Sequence, residues 1–338
     1  MDSKKQGKQT VSFSTPPVII SCASVAGPME GNGPLGTKFD KVLPDSLDGE
    51  QTWEKTESKM LKDAVKMAVS QAQLTEQDID FLLAGDLLNQ ITSSNYAARD
   101  LPIPFMGLYG ACSTMAMGLA IGSMLVDGGF AARVVAAASS HHNTAERQYR
   151  FPTELGTQRP MSAQWTVTGA GASLLADKGF GVKITHATLG KTIDLGISDP
   201  NDMGAAMAPA VADTIICHFQ DLGIGPEAYD LVITGDLGQI GKNITMDLVG
   251  RAGYSLALDK YSDCGLMIYD PSQDTHAGGS GCGCSAVVIN GYIIKELLAG
   301  RLKKVLFIGS GALLSPTFNQ QGESIPSIGH AVALEGPS

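Results

Sequence analysis

Short uninterrupted apolar runs alternate along this chain with longer stretches in which apolar residues recur every three or four positions. Val18-Ile19-Ile20-Ser21 is the first such run and reads as a strand, and the turn-rich loop Gly27-Pro28-Met29-Glu30-Gly31-Asn32-Gly33-Pro34 follows it. From Trp53 to Gln71 the spacing is helical, with Trp53, Met60, Val65 and Ala68 among the apolar positions and charges between them. Phe81-Leu82-Leu83-Ala84 is continuous again, as in strands covered on both faces. Ile103 to Tyr109 reads as extended, and Met115 to Val126 carries no charge until Asp127-Gly128-Gly129 stops it, which predicts a buried helix.

The same order is then written a second time. Val182 to Thr188 answers the first strand and Ala205 to Gln220 the first helix. Tyr229 to Leu237 answers Ile79 to Leu87 at an offset of 150 positions, and both stretches end in Gly-Asp-Leu. Gly283-Cys284-Ser285 answers Ala111-Cys112-Ser113, and sixteen residues after each cysteine stands a helix-stopping glycine, Gly128 or Gly300. Arg133 to Ala137 matches Lys304 to Ile308, and Gly169 to Leu175 matches Ile328 to Leu334. Matched pairs in one order imply a duplicated unit of alternating strands and helices, hence a layered, parallel-rich α/β fold. The expected halves are residues 1–180 and 181–338, with Cys112 and Cys284 at equivalent helix starts facing one cleft.

Composition narrows the function. Only 17% of the 338 residues are charged against 43% hydrophobic, so much of the chain must be buried. Forty glycines, without a three-residue period, signal tight turns and close backbone approaches rather than collagen. A net charge of −10 and 6% aromatic residues argue against nucleic-acid binding and against direct docking on an anionic membrane. The polar start, Met1 to Ser14, lacks the apolar core of a signal peptide, and the longest uncharged helix is too short and too rich in small residues for a span. A soluble protein with six reduced cysteines in a cytosolic compartment is expected.

Candidate chemistry gathers at Tyr109-Gly110-Ala111-Cys112-Ser113-Thr114, where a turn brings a cysteine to a helix start. Unpaired N–H groups and the helix dipole there favour a thiolate or hold a carboxylate, so a nucleophile, an anion site and a small packed residue all fit. Asp86 and Asp236 occupy equivalent strand ends, the usual ligand side of open α/β sheets. They either cap the following helices or offer oxygens to Ca²⁺. His141, in His141-His142-Asn143, either reaches Cys112 or a carboxylate, or sits in an exposed loop. Arg147 and Arg150 have the fork that grips a dicarboxylate, but surface ion pairing is the commoner fate, and His141 is preferred to both. Cys282-Gly283-Cys284, with Cys264 and His276, lacks the spacing of structural zinc sites, so no permanent metal site is expected. Gly278-Gly279-Ser280-Gly281 is not a Walker-type phosphate loop.

The duplicated unit, the Ala111-Cys112-Ser113 turn, Thr168-Gly169-Ala170-Gly171-Ala172 and Gly278-Gly279-Ser280-Gly281 together resemble the thiolase superfamily over nearly the whole chain. More narrowly, Ala84 to Gln90, Thr144 to Glu154, Asp202 to Ala210 and Gly309 to Thr317 resemble the stage V sporulation protein AD family of spore-forming bacilli. The superfamily resemblance implies βαβαβαββ halves in an αβαβα arrangement with mixed sheets. The narrower one implies a non-catalytic binding protein for dipicolinate (pyridine-2,6-dicarboxylate), as its calcium chelate, during uptake into the developing spore. It further implies a homodimer, soluble in the sporulating cell and peripherally associated with the spore inner membrane beside membrane-protein partners. The ligand contacts expected on this basis are Asp86, Cys112, His141, Asp236, Gly279 and Cys284.

An acyltransferase of ketoacyl synthase type using Cys112 is the alternative, and three departures weigh against it. Ketosynthases of the initiating type end the second-half strand in His-Gln-Ala-Asn, where this chain has Thr234-Gly235-Asp236-Leu237. Thiolases have Gly-His-Pro where this chain has Gly278-Gly279-Ser280, and a second cysteine where it has Gly309-Ser310-Gly311. The donors that stabilise a developing oxyanion are thus missing.

Overall fold

The computed structural model describes residues 4–150 and 158–337. The first three residues of the polar start, and residues 151–154 of the Thr144–Glu154 match, lie outside them. In the first half the elements run β1 (Val18–Ala26), α1 (Trp53–Gln71), β2 (Phe81–Gly85), α2 (Thr92–Arg99), β3 (Phe105–Gly107), α3 (Thr114–Asp127), β4 (Arg133–Ser140), α4 (His142–Tyr149) and β5 (Gly169–Ala176). The second half runs β6 (Val182–Leu189), α5 (Met203–Leu222), β7 (Leu231–Thr234), α6 (Gly238–Arg251), β8 (Tyr261–Asp263), α7 (Cys282–Val288), β9 (Lys304–Ala312) and β10 (Ser327–Glu335). Apart from α4 between β4 and β5, a five-residue helix (Pro316–Gln320) between β9 and β10 and other short helical segments, both halves follow βαβαβαββ.

Strand order is β8-β7-β9-β10-β6-β1-β5-β4-β2-β3, so each five-stranded arrangement mirrors the other about the centre. β6 and β1 join them antiparallel through Val182–Ile19 and Lys183–Val18, with the Ile184 N–H donating to the Pro17 carbonyl beyond them. β2 is parallel to β3 and β4, as β7 is to β8 and β9. β5 and β10 run antiparallel to both of their neighbours, so the sheets are mixed rather than parallel-rich. The hairpin connections β4-α4-β5 and β9-β10 reverse the chain within each sheet, which alternation of strands and helices alone does not reveal. The N-terminal stretch adds a strand, Thr10–Ser12, beside β6.

Five layers result. Met115 and Leu119 of α3 and Val287 of α7 share a buried cluster with Ala136 and Leu175 from one sheet and Ile233, Phe307 and Val332 from the other. On one outer face α1 places Leu61, Val65 and Val69 on Leu82, Val135 and Leu174, and on the other α5 places Val211, Ile215 and Phe219 on Val232, Leu306 and Ala333. α1 is amphipathic and starts where Thr52 Oγ1 accepts from the N–H of Lys55. α3 needs no polar face because sheets cover it from both sides, which explains its uncharged run.

A buried carboxyl bolts the halves together. Glu30 accepts from the Thr168 N–H at 3.0 Å and from the hydroxyl of Tyr269 in the second half. Burial raises its pKa from an ordinary 4.5 to about 7, against the lowering effect of those hydrogen bonds. A carboxyl whose folded pKa is raised contributes stability that is intact below the unfolded value and lost as pH climbs through the folded value. Wild-type stability is therefore expected to fall between about pH 4.5 and pH 7, with a Glu30 share on the order of 3 kcal/mol. Glu30→Gln should flatten that fall. Melting temperatures of both proteins across the range measure it, and parallel curves would show that Glu30 does not titrate there.

Candidate functional site

The turn before α3 closes on itself. Ser113 N–H and Oγ donate to the Gly110 carbonyl at 3.0 and 2.6 Å, and Thr114 Oγ1 donates to the Ala111 carbonyl at 2.7 Å. Ala111 pays with a φ of +48°, a strained value for a residue with a side chain. Consequently α3 begins at Thr114, two residues after Cys112, and the N–H of Ser113 is not free for a bound anion. The other half closes over the turn, since a Cβ at Gly311 of β9 would collide with the Gly110 carbonyl. Glycine is needed at Gly311 for that approach.

Cys112 is buried, and its thiol meets the carboxyl of Asp236. Asp236 accepts from Ser310 Oγ at 2.6 Å and from the Gly281 N–H at 2.8 Å, the latter offered by a residue whose φ of +99° suits glycine. Gln164 donates to the carbonyls of Asp236 and Gly279 at 2.7 and 2.9 Å. Next to it Trp165–Thr166 pairs in parallel with Gly279–Ser280, a second link between the halves. Burial raises Asp236 to about 6 despite these donors. Burial first, then the negative charge of Asp236, pushes the Cys112 thiol well above its ordinary 9.0. Passing the thiol proton to Asp236 is thus uphill. The thiol stays protonated at neutral pH.

Cys112 opens onto a cavity of about 30 Å³, room for about two water molecules. Leu87, Met203 and Leu314 supply apolar wall, and Tyr109, Tyr149 and Arg150 supply polar atoms. The hydroxyls of Tyr109 and Tyr149 lie 3.4 Å apart.

Of the six residues singled out in the sequence, Cys112 and Asp236 come together, and Gly279 adjoins Ser280, which lines the cavity. The other three are placed elsewhere. Asp86 is completely buried and accepts from the Ser94 N–H and Oγ, both at 2.7 Å, and from the Leu88 N–H at 2.8 Å. Its oxygens serve its own loop and α2. His141 caps α4, with Nδ1 accepting from the Asn143 N–H and Nε2 donating to the Ser46 carbonyl at 2.8 Å, and burial lowers its pKa to about 4. Cys284 is buried in the central layer with its thiol 3.6 Å from the Gly235 carbonyl. The two cysteines are not equivalent in position. α7 begins two residues before Cys284 because Gly281 turns straight into it, whereas α3 begins two residues after Cys112.

Among the described residues no group of three or more His, Cys, Asp or Glu side chains converges as a metal site. Arg147 pairs with Glu54 and lies over Trp53. Arg150, ranked behind His141 on the sequence, lines the cavity, while Gln164 and Ser310 carry no local signal and are found only once both halves are folded.

The mirrored halves, the five layers and a cysteine turn beneath them define a protein of the thiolase fold. Solved structures agree. The chain resembles OleA of Xanthomonas campestris with a TM-score of 0.61 and 15% identity, covering 96% of this chain and 99% of that one. It resembles the human mitochondrial 3-ketoacyl-CoA thiolase with a TM-score of 0.59 and 13% identity, covering 96% and 99%. The model of the family described as stage V sporulation protein AD matches residues 7–335. The stage V sporulation protein AD of Bacillus subtilis (strain 168) is 51% identical over 332 residues, 98% of each chain. This chain therefore belongs to the stage V sporulation protein AD family. No helix among its described residues is long and apolar enough to cross a membrane.

Proposed function

We propose that this chain binds dipicolinate, carried as its calcium chelate, in the Cys112 cavity without turning it over, as one step in loading the developing spore. In this reading it works as a homodimer at the spore inner membrane beside membrane-protein partners. One observation carries the non-catalytic part: the Cys112 thiol is held protonated against a carboxyl, where a condensing enzyme needs an activated thiolate and positively polarised donors. Family membership and a cavity with two tyrosines, an arginine and apolar wall support a small planar acid as ligand. The cavity is smaller than such a ligand, so binding displaces lining side chains. A chelate brings its own positive charge, and Asp86 is not required to hold the calcium.

The test is incubation with acyl-CoA and with acylated carrier protein, followed by intact mass spectrometry. The expected mass is that of the unmodified chain, and stoichiometric acylation of Cys112 would instead establish the acyltransferase alternative.

A further inference from the structure

We propose that Arg150 is the residue that fixes a ligand carboxylate in this cavity, and that Glu146 tempers its charge. The assignment rests on the ligand reading above and adds how the ligand is oriented and selected. Arg150 follows the last residue of α4 in an extended conformation, φ −120° and ψ −166°, while its N–H still bonds the Glu146 carbonyl. The side chain therefore leaves the helix direction and turns toward the cavity, whereas Arg147, still helical, faces Trp53 and Glu54.

The guanidinium is nearly buried, with 13% of the side chain exposed, and its donors are unevenly used. Nη1 donates to Glu146, and Nε donates to the Pro200 carbonyl at 3.3 Å. Among the described residues Nη2 has only the thioether of Met203, at 3.8 Å. Sulfur is a weak acceptor, so a permanently charged, largely desolvated group keeps N–H donors in reserve beside the cavity, and Met203 lines the same wall. A carboxylate oxygen is the acceptor that suits them, because charge-assisted bonds to guanidinium are short, strong and directional.

Glu146 is held by Arg150 and by Thr166 Oγ1 at 3.0 Å. Burial alone would raise its pKa, but the charge and hydrogen bonds of Arg150 overcome that and lower it, so it is ionised at neutral pH. The pair presents little net charge to the cavity, and among the described residues Nη2 meets no oxygen acceptor. An incoming carboxylate competes with Glu146 for Arg150. The ring then lies against Tyr109 and Tyr149.

Two variants with opposite expected signs test this. Glu146→Gln keeps an oxygen for Thr166 and Arg150 but removes the competing charge, and should bind dipicolinate severalfold more tightly than wild type. Arg150→Gln leaves Glu146 buried without its cation, so the double variant Arg150→Gln/Glu146→Gln is the cleaner loss, with folding checked by thermal melting. Its affinity should fall about 10- to 150-fold, the range of a hydrogen bond to a charged group. The probes are calorimetric titrations with free pyridine-2,6-dicarboxylate, its calcium chelate and pyridine-2-carboxylate. Wild-type binding with unchanged affinity in both variants would defeat the Arg150 assignment alone. No binding of any probe by wild type would defeat the ligand reading itself.

Discussion

Replacing Cys112 with methionine should abolish dipicolinate binding, by 100-fold or more, while replacing it with alanine should leave affinity within about tenfold of wild type. The asymmetry follows from what the cysteine does here. Its thiol is protonated and buried near Asp236, so it contributes shape rather than a nucleophile. Methionine is unbranched and adaptable, and at this position its thioether occupies a cavity of about 30 Å³ that the ligand must enlarge. Overpacking should cost about 1–3 kcal/mol of stability, which leaves the chain folded. Calorimetric titration alongside thermal melting separates the two effects. If Cys112→Ala lost binding as completely as Cys112→Met, the thiol itself would be making an essential contact.

Asp86→Ala should destabilise the protein by about 2–4 kcal/mol without a specific effect on affinity. The carboxylate accepts three hydrogen bonds in a fully buried position, and its removal strands the N–H groups of Leu88 and Ser94 and the Ser94 hydroxyl. Each stranded buried donor costs about 1–3 kcal/mol, partly offset because a costly buried charge disappears as well. Asp86→Asn should lose less, and titration of that variant with dipicolinate and with the calcium chelate should match wild type for both forms. A selective loss of chelate binding would restore the idea of a calcium ion shared with Asp86.

Asp86 also marks where sequence reasoning stops. The two Gly-Asp-Leu strand ends are alike in the sequence, and that likeness located the duplication, the βαβαβαββ order and the layering. It did not separate their roles, because the donors come from different distances. Asp86 is satisfied by Ser94, eight positions on, and Asp236 by Gly281 and Ser310, 45 and 74 positions on. Only the fold brings the latter together. The same limit explains Arg150: the preference for His141 rests on its place after β4, but the helix that starts there uses His141 as its cap and the residue that follows the helix lines the cavity. The cysteine turn was legible as a turn. Its closure on its own carbonyls was not, because that depends on Ala111 adopting a positive φ.

The most direct test of the central claim, reversible binding without chemistry at the Cys112 cavity, is equilibrium dialysis of the wild-type chain against dipicolinate with and without Ca²⁺, followed by chromatography of the recovered ligand. The account requires saturation at one ligand per chain, tighter in the presence of Ca²⁺, with all ligand returned unchanged. Failure to bind, or conversion of the ligand into another compound, would contradict it.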